Sequence, residues 1–338
     1  MKSNTVPSRG LLSRDRFNLL HTIAAAALLL GGLGTLTSRA GVTFEFNYTD
    51  VGVGFNDPIY GADRQAALAD AAGRVAAYFV NYNATIDIDV NGSITSDNVL
   101  ASASSKFNAP WSGNGFNDRG DVMLKILGGN SADPNPTKAD GKVNWNFGWN
   151  WALGNTIGPG QFDFISTAMH ELTHATGFAA GISEDGRSGW GDPVGEASSW
   201  TPMASWLADS SGNFIISNSF ILNKTRWDAA KAGGSSLFFA GPNADAAYGG
   251  LVPLYSPTTW EQGSSGGSHM DDPSFVAPNN MLMNAMSQPE GTMDSRAYSQ
   301  VEIGILKDIG YTQIVPEPST WAMLVGGLGA LLAFRRRR

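Results

Sequence analysis

No cysteine occurs among the 338 residues. Disulfides are therefore excluded, and stability must come from the core and from bound metals. Histidine is scarce as well: four in all, of which His21 falls in the first 40 residues. Basic residues are few in the body of the chain. Residues 41–314 hold 13 basic and 28 acidic side chains, a net charge of −15. Such a surface repels nucleic acid and anionic membranes, which argues against nucleic acid as a partner. There is no P-loop, no nucleotide fingerprint, no EF-hand loop and no internal repeat.

The two ends carry what the body lacks. Residues 1–40 read as a secretory signal peptide: Lys2, Arg9, Arg14 and Arg16, then Ile23 to Leu30, then small residues at Ser38 and Ala40 around a cleavage site. At the other end, Pro316-Glu317-Pro318 precedes an apolar run from Trp321 to Phe334 and the cluster Arg335 to Arg338. The run is shorter than the roughly 20 residues of an ordinary membrane span. Arginines facing the cytoplasm would orient the mature part outward. This tail, 314–338, resembles the PEP-CTERM sorting signal of Gram-negative bacteria. The resemblance implies export across the inner membrane, transient anchoring through the short apolar segment, and processing by an exosortase-type enzyme. The mature protein would reside at the cell surface, in the extracellular matrix or in the medium.

The remaining 41–313 suffices for one large domain, with lobes 41–180 and 181–313. Val42 to Phe46 and Thr85 to Val90 alternate and predict strands, the second stopped by Asn91-Gly92. Ala62 to Val80 has the spacing of an amphipathic helix. Val122 to Leu127 reads as a buried strand, and Trp145, Trp149 and Trp151 as an edge strand or packed loop. Val301 to Tyr311 predicts a closing helix ended by Gly310. The acid excess and loops such as Asp87 to Gly92 are compatible with structural calcium.

Two of the three remaining histidines form His170-Glu171-Leu172-Thr173-His174. Asp163 is the expected N-cap of this helix and Gly177 its stop. Spacing of i, i+4 puts both imidazoles on one face, where they can hold one metal. Glu171 is then placed to take a proton from water that zinc acidifies. A catalytic zinc site needs three protein ligands and an open position. Three third ligands come into question: His269, Glu196 and Glu184.

The motif with Gly177 resembles the metzincin proteases. Their short form places the third histidine three residues after the glycine, which here is Ala180. The segment Gly263 to Asp272, followed by Asn280 to Asn284, resembles instead the third-ligand segment and methionine turn of leishmanolysin-like proteases. The resemblance implies an α+β zincin fold: a mixed twisted sheet backing an active-site helix, with a loop-rich C-terminal part. It implies Zn²⁺ on His170, His174 and His269, with Met283 as the turn methionine and Met281 and Met286 as alternatives. Metzincins often use a tyrosine two residues further on to steady the oxyanion. Here that residue is Ala285, which leaves Tyr298 and Tyr255 as substitutes. Asp271 or Asp272 could orient an imidazole. Lack of cysteine excludes latency through a thiolate on the zinc. The expected function is an exported zinc endopeptidase acting on protein or peptide substrates. The alternative is a non-catalytic surface or exopolysaccharide-matrix protein with a protease-like fold.

Overall fold

The structure, a computed structural model, describes residues 41–108, 113–189, 191–231, 233–261, 263 and 266–315. The secretory segment 1–40, the apolar tail from 316 and Ser264 and Ser265 lie outside the described residues. The architecture is mixed α and β, with several sheets and six helices among the described residues. None of those helices is long and apolar enough to cross a membrane.

The first sheet contains Val42–Tyr48 (β1), Ala84–Ser93 (β2), Ala101–Ser105 (β3) and Gly141–Asn146 (β4). Its order is β1-β2-β4-β3. The pairs β1·β2 and β2·β4 are parallel, and β3 runs antiparallel along the edge. Along β2 every second residue is buried, so Ile86, Ile88 and Val90 enter the core. The expected helix is Gly61–Ala76 (α1), continued by one tighter turn, Ala77–Phe79. It buries Leu68, Ala71, Ala72 and Val75 and packs on β1 and on the histidine helix. Complete burial of a side chain such as Leu68 contributes roughly 2 kcal/mol.

Several sequence expectations are corrected. Val122 to Leu127 is not a strand but part of a helix, Asp121–Gly128 (α2). A short apolar run fits either state, and here Val122, Met123 and Ile126 form one helical face. Lys125 on this helix is buried among Asp140, Asp87 and Asp133, at 2.8, 3.1 and 3.2 Å. Strand β2 does not stop at Asn91-Gly92 but runs through it. Gly92 is there for close approach: a Cβ would sit 2.6 Å from the Gly54 Cα and 2.8 Å from the Phe147 ring. Residues 87–92 are thus strand and not a calcium loop. Asp87 meets Lys125, and Asp89 accepts from the Asn47 amide and lies 3.7 Å from Lys106. Trp145 is not on an edge. It is buried on β4, between β2 and β3, against Phe164 and Trp151.

Trp151–Ala152 (β5) and Phe162–Asp163 (β6) form a short parallel pair leading into the histidine helix, Phe164–Ala175 (α3). After it come Leu207–Asp209 (β7), Lys224–Ala230 (α4), Leu237–Phe239 (β8), Pro242–Tyr248 (α5) and Val252–Leu254 (β9). Strands β7, β8 and β9 form an antiparallel sheet. The closing helix is Gln300–Asp308 (α6). It packs so tightly on α5 that a Cβ at Gly304 would meet the Ala244 Cα at 2.6 Å. Tyr298 and Tyr311 return this end of the chain to the first half. The Tyr298 N–H donates to the Tyr78 hydroxyl, and the Tyr311 hydroxyl to the Thr176 carbonyl.

Candidate metal centre

Helix α3 begins where Asp163 accepts the Ser166 N–H, as an N-cap should. Its apolar face, Phe164, Ile165, Ala168, Met169 and Leu172, is buried against the first sheet and α1. The other face turns Ser166, Thr167, His170, Glu171 and His174 into a cleft of about 570 Å³. Gly177 ends the helix at φ +102°, a conformation that favours glycine. That turn returns the Phe178 carbonyl to within 2.8 Å of His174 Nδ1.

The third histidine, 95 residues beyond His174, is seated beside the end of β9. The Tyr255 N–H donates to the His269 carbonyl, and Met270 bridges both Leu254 and Asn284. His174 Nε2 lies 3.0 Å from His170 Nε2 and 3.0 Å from His269 Nε2. His170, His174 and His269 are the one group of three or more metal-ligand side chains that converges among the described residues. Glu184 and Glu196 are exposed and stand outside it.

The tautomers follow from the backbone. Nδ1 of His170 faces the Leu282 carbonyl at 2.8 Å, and Nδ1 of His174 faces Phe178. A carbonyl only accepts, so both Nδ1 atoms carry the proton. In the neutral rings both Nε2 atoms are then bare lone pairs, 3.0 Å apart. Two lone pairs at that range repel unless a cation lies between them. Nitrogens around a tetrahedral zinc with ~2.0 Å bonds lie roughly 3.3 Å apart, close to what is seen. Burial holds the imidazoles neutral: the His170 pKa is drawn down to about 4, and that of His174 well below its ordinary value. The neutral ring is the metal-binding form.

Glu171 is also buried, and desolvation pushes its carboxyl up to about 8, opposed by a hydrogen bond from the Ala103 N–H. That bond follows from sheet register. Asn146 N–H bonds the Leu100 carbonyl and Lys106 N–H bonds the Asp140 carbonyl, so even-numbered residues of β3 pair with β4. Ala101, Ala103 and Ser105 therefore turn their backbone groups outward, along the cleft. They line it together with His170, Glu171 and His269.

Met283 is fully buried between Leu282 and Asn284, which line the cleft. Met281 is only partly buried and Met286 is half exposed, so Met283 is the most buried of the three. Neither tyrosine borders the cleft. Tyr298 is buried with its hydroxyl 2.7 Å from the Thr173 hydroxyl, and Tyr255 donates to Glu261 at 2.9 Å. The structure thus places both hydroxyls away from the cleft. The Asp271 carboxylate accepts from the Ser235 and Ser274 hydroxyls, and Asp272 from the Met286 N–H. Backbone carbonyls orient His170 and His174, and main-chain atoms leave no mark in a sequence. Two further ties were missed, Arg296 on Asp163 and Glu302 on Met283. The pattern Ser299-x-x-Glu302 was the available signal for the second, as a capping box.

Asp272 provides a pH test. Its Oδ2 is buried without a partner, and burial raises its pKa from 3.8 to about 6. The native state thus holds this proton more tightly than the unfolded chain. Its contribution to stability is present in full below pH 3.8 and lost as pH rises through 6. Asp272→Asn should flatten the decline of melting temperature across this window, by on the order of 2 kcal/mol at neutral pH. A slope identical to that of the wild type would show that Asp272 does not titrate in it.

Residues 315–338 match the PEP-CTERM protein-sorting motif. The tail implies export to the cell envelope or surface of a Gram-negative bacterium, and recognition by exosortase-type sorting machinery. No curated protein matches the chain.

Proposed function

We propose that this chain is an exported zinc-dependent endopeptidase on a metzincin-like fold. His170, His174 and His269 hold the metal and Glu171 is the general base. The observation that carries the reading is the convergence of three imidazoles, two of them with Nδ1 on a backbone carbonyl so that Nε2 is bare, beside a buried carboxyl group. Zinc in such a site supplies Lewis acidity and lowers the pKa of a water molecule towards neutrality.

The chain's own residues account for the rest of the reaction. Glu171 takes a proton as the water oxygen attacks the peptide carbonyl carbon. It then gives that proton to the leaving nitrogen as the C–N bond breaks. The outward backbone groups of Ala101 and Ser105, with the Ala103 carbonyl, offer an extended peptide an edge to pair with, above the helix.

The test is metal uptake and hydrolysis of an unfolded protein by the full chain. One zinc per chain is expected, with activity that a chelator removes. His269→Ala should lower zinc affinity at least 10-fold and abolish hydrolysis. Full zinc uptake by His269→Ala would exclude His269 as a ligand. A folded wild type that takes up no zinc would return the chain to a non-catalytic surface role.

A further inference from the structure

We propose that Glu302 is the positioning residue of the three-histidine site: one buried carboxylate that fixes the turn on which two of the imidazoles depend. This rests on the metal reading above.

Glu302 is completely buried in the first turn of α6. Its Oε2 accepts the Ser299 N–H at 2.7 Å and completes the helix capping box. Such boxes ordinarily sit at a surface, and this one faces inward. Its Oε1 accepts the Met283 N–H at 2.7 Å, in the peptide whose carbonyl belongs to Leu282. The peptides held in this way are the ones that reach the histidines. The Leu282 carbonyl receives His170 Nδ1 at 2.8 Å. The Met283 carbonyl receives the Met270 N–H at 2.7 Å, one residue from His269. Helix α6 thus holds residues 282–283, and these orient one imidazole and seat the segment that carries another. The Ser299 and Met283 N–H donors converge on this carboxyl in a dry site, where each would otherwise remain unsatisfied. A cap serving only its own helix would need no contact to Met283.

The test uses cobalt(II) added to the full chain, because its visible bands report ligand geometry. Glu302→Gln keeps the shape but turns an amide NH₂ towards donors. Glu302→Asp keeps the charge but withdraws it by one methylene, and serves if the first variant fails to fold. Asp308→Ala is the control. Asp308 lies on the same helix but accepts from Asn243 and Ala244 of α5, so its loss loosens packing without touching the turn.

Cobalt release 10–100-fold faster in the Glu302 variants, with displaced bands, is the expected result. Asp308→Ala should melt earlier yet keep wild-type bands and release. Wild-type spectra and release in both Glu302 variants would overturn the proposal. So would an equal change in Asp308→Ala, since the effect would then be general loosening. A wild type that binds no cobalt would overturn the metal reading itself, and the positioning role with it.

Discussion

Glu171→Gln should reduce peptide hydrolysis by roughly 10²–10⁴-fold while fold and zinc content stay unchanged. Glutamine has the same shape, so the packed surroundings of α3 are kept. Its Oε1 can still accept the Ala103 N–H, so the tie to β3 survives. Glu171 is not one of the three converging histidines, so metal uptake should not depend on it. Only the ability to take and return a proton is removed. The check is hydrolysis of an unfolded protein beside zinc content and melting temperature for both chains. Activity within a few-fold of wild type would rule out Glu171 as the base. Loss of zinc together with activity would make it a structural residue of the site.

Arg296→Ala should destabilise the fold by about 3–5 kcal/mol, on the order of 10 °C in melting temperature. The guanidinium forms a bidentate pair with Asp163 at 2.7 and 2.8 Å, with side-chain exposures of 8 % and 2 %. It also reaches the Asn155 side chain and the Gly154 carbonyl, both at 2.8 Å. Asp163 is at the same time the N-cap of α3. Truncation therefore leaves a buried carboxylate at the head of the histidine helix with its main counter-charge gone. The double variant Asp163→Asn with Arg296→Met should be milder than Arg296→Ala, because no charge is stranded. Chemical denaturation measures both. A loss below 1 kcal/mol for Arg296→Ala would show that water reaches Asp163 and replaces the pair.

The first strand, the long helix α1, the histidine helix with its cap and stop, and the closing helix were legible in the sequence, because each carries a strong apolar period or an end signal. Strand β3 was not. Ala101-Ser102-Ala103-Ser104-Ser105 lacks the branched and aromatic side chains that mark strands, and pairing with β4 makes it one. Helix α2 was misread because six consecutive residues, one a lysine, are too few to separate two periods. Its lysine is buried only because three aspartates from elsewhere in the chain converge on it. At the site, His170, Glu171 and His174 were readable from spacing and His269 from its scarcity. The groups that orient them are carbonyls, an edge-strand N–H and a carboxylate on α6, joined only by the fold. Tyr298 and Tyr255 show the converse: a residue type fitted the chemistry, and tertiary packing sent both hydroxyls elsewhere.

The separation of His174 from His269 has a consequence for the unfolded chain. The two are 95 residues apart in sequence and 3.0 Å apart in space. An ion shared between them would close a loop of about 100 residues, as a disulfide can. Loop-closure entropy for about 100 residues is worth roughly 4–5 kcal/mol. In a protein built without cysteine, an ion held by these histidines would act as a removable crosslink. Chelation would then cost stability in proportion to the freedom it returns to residues 175–268.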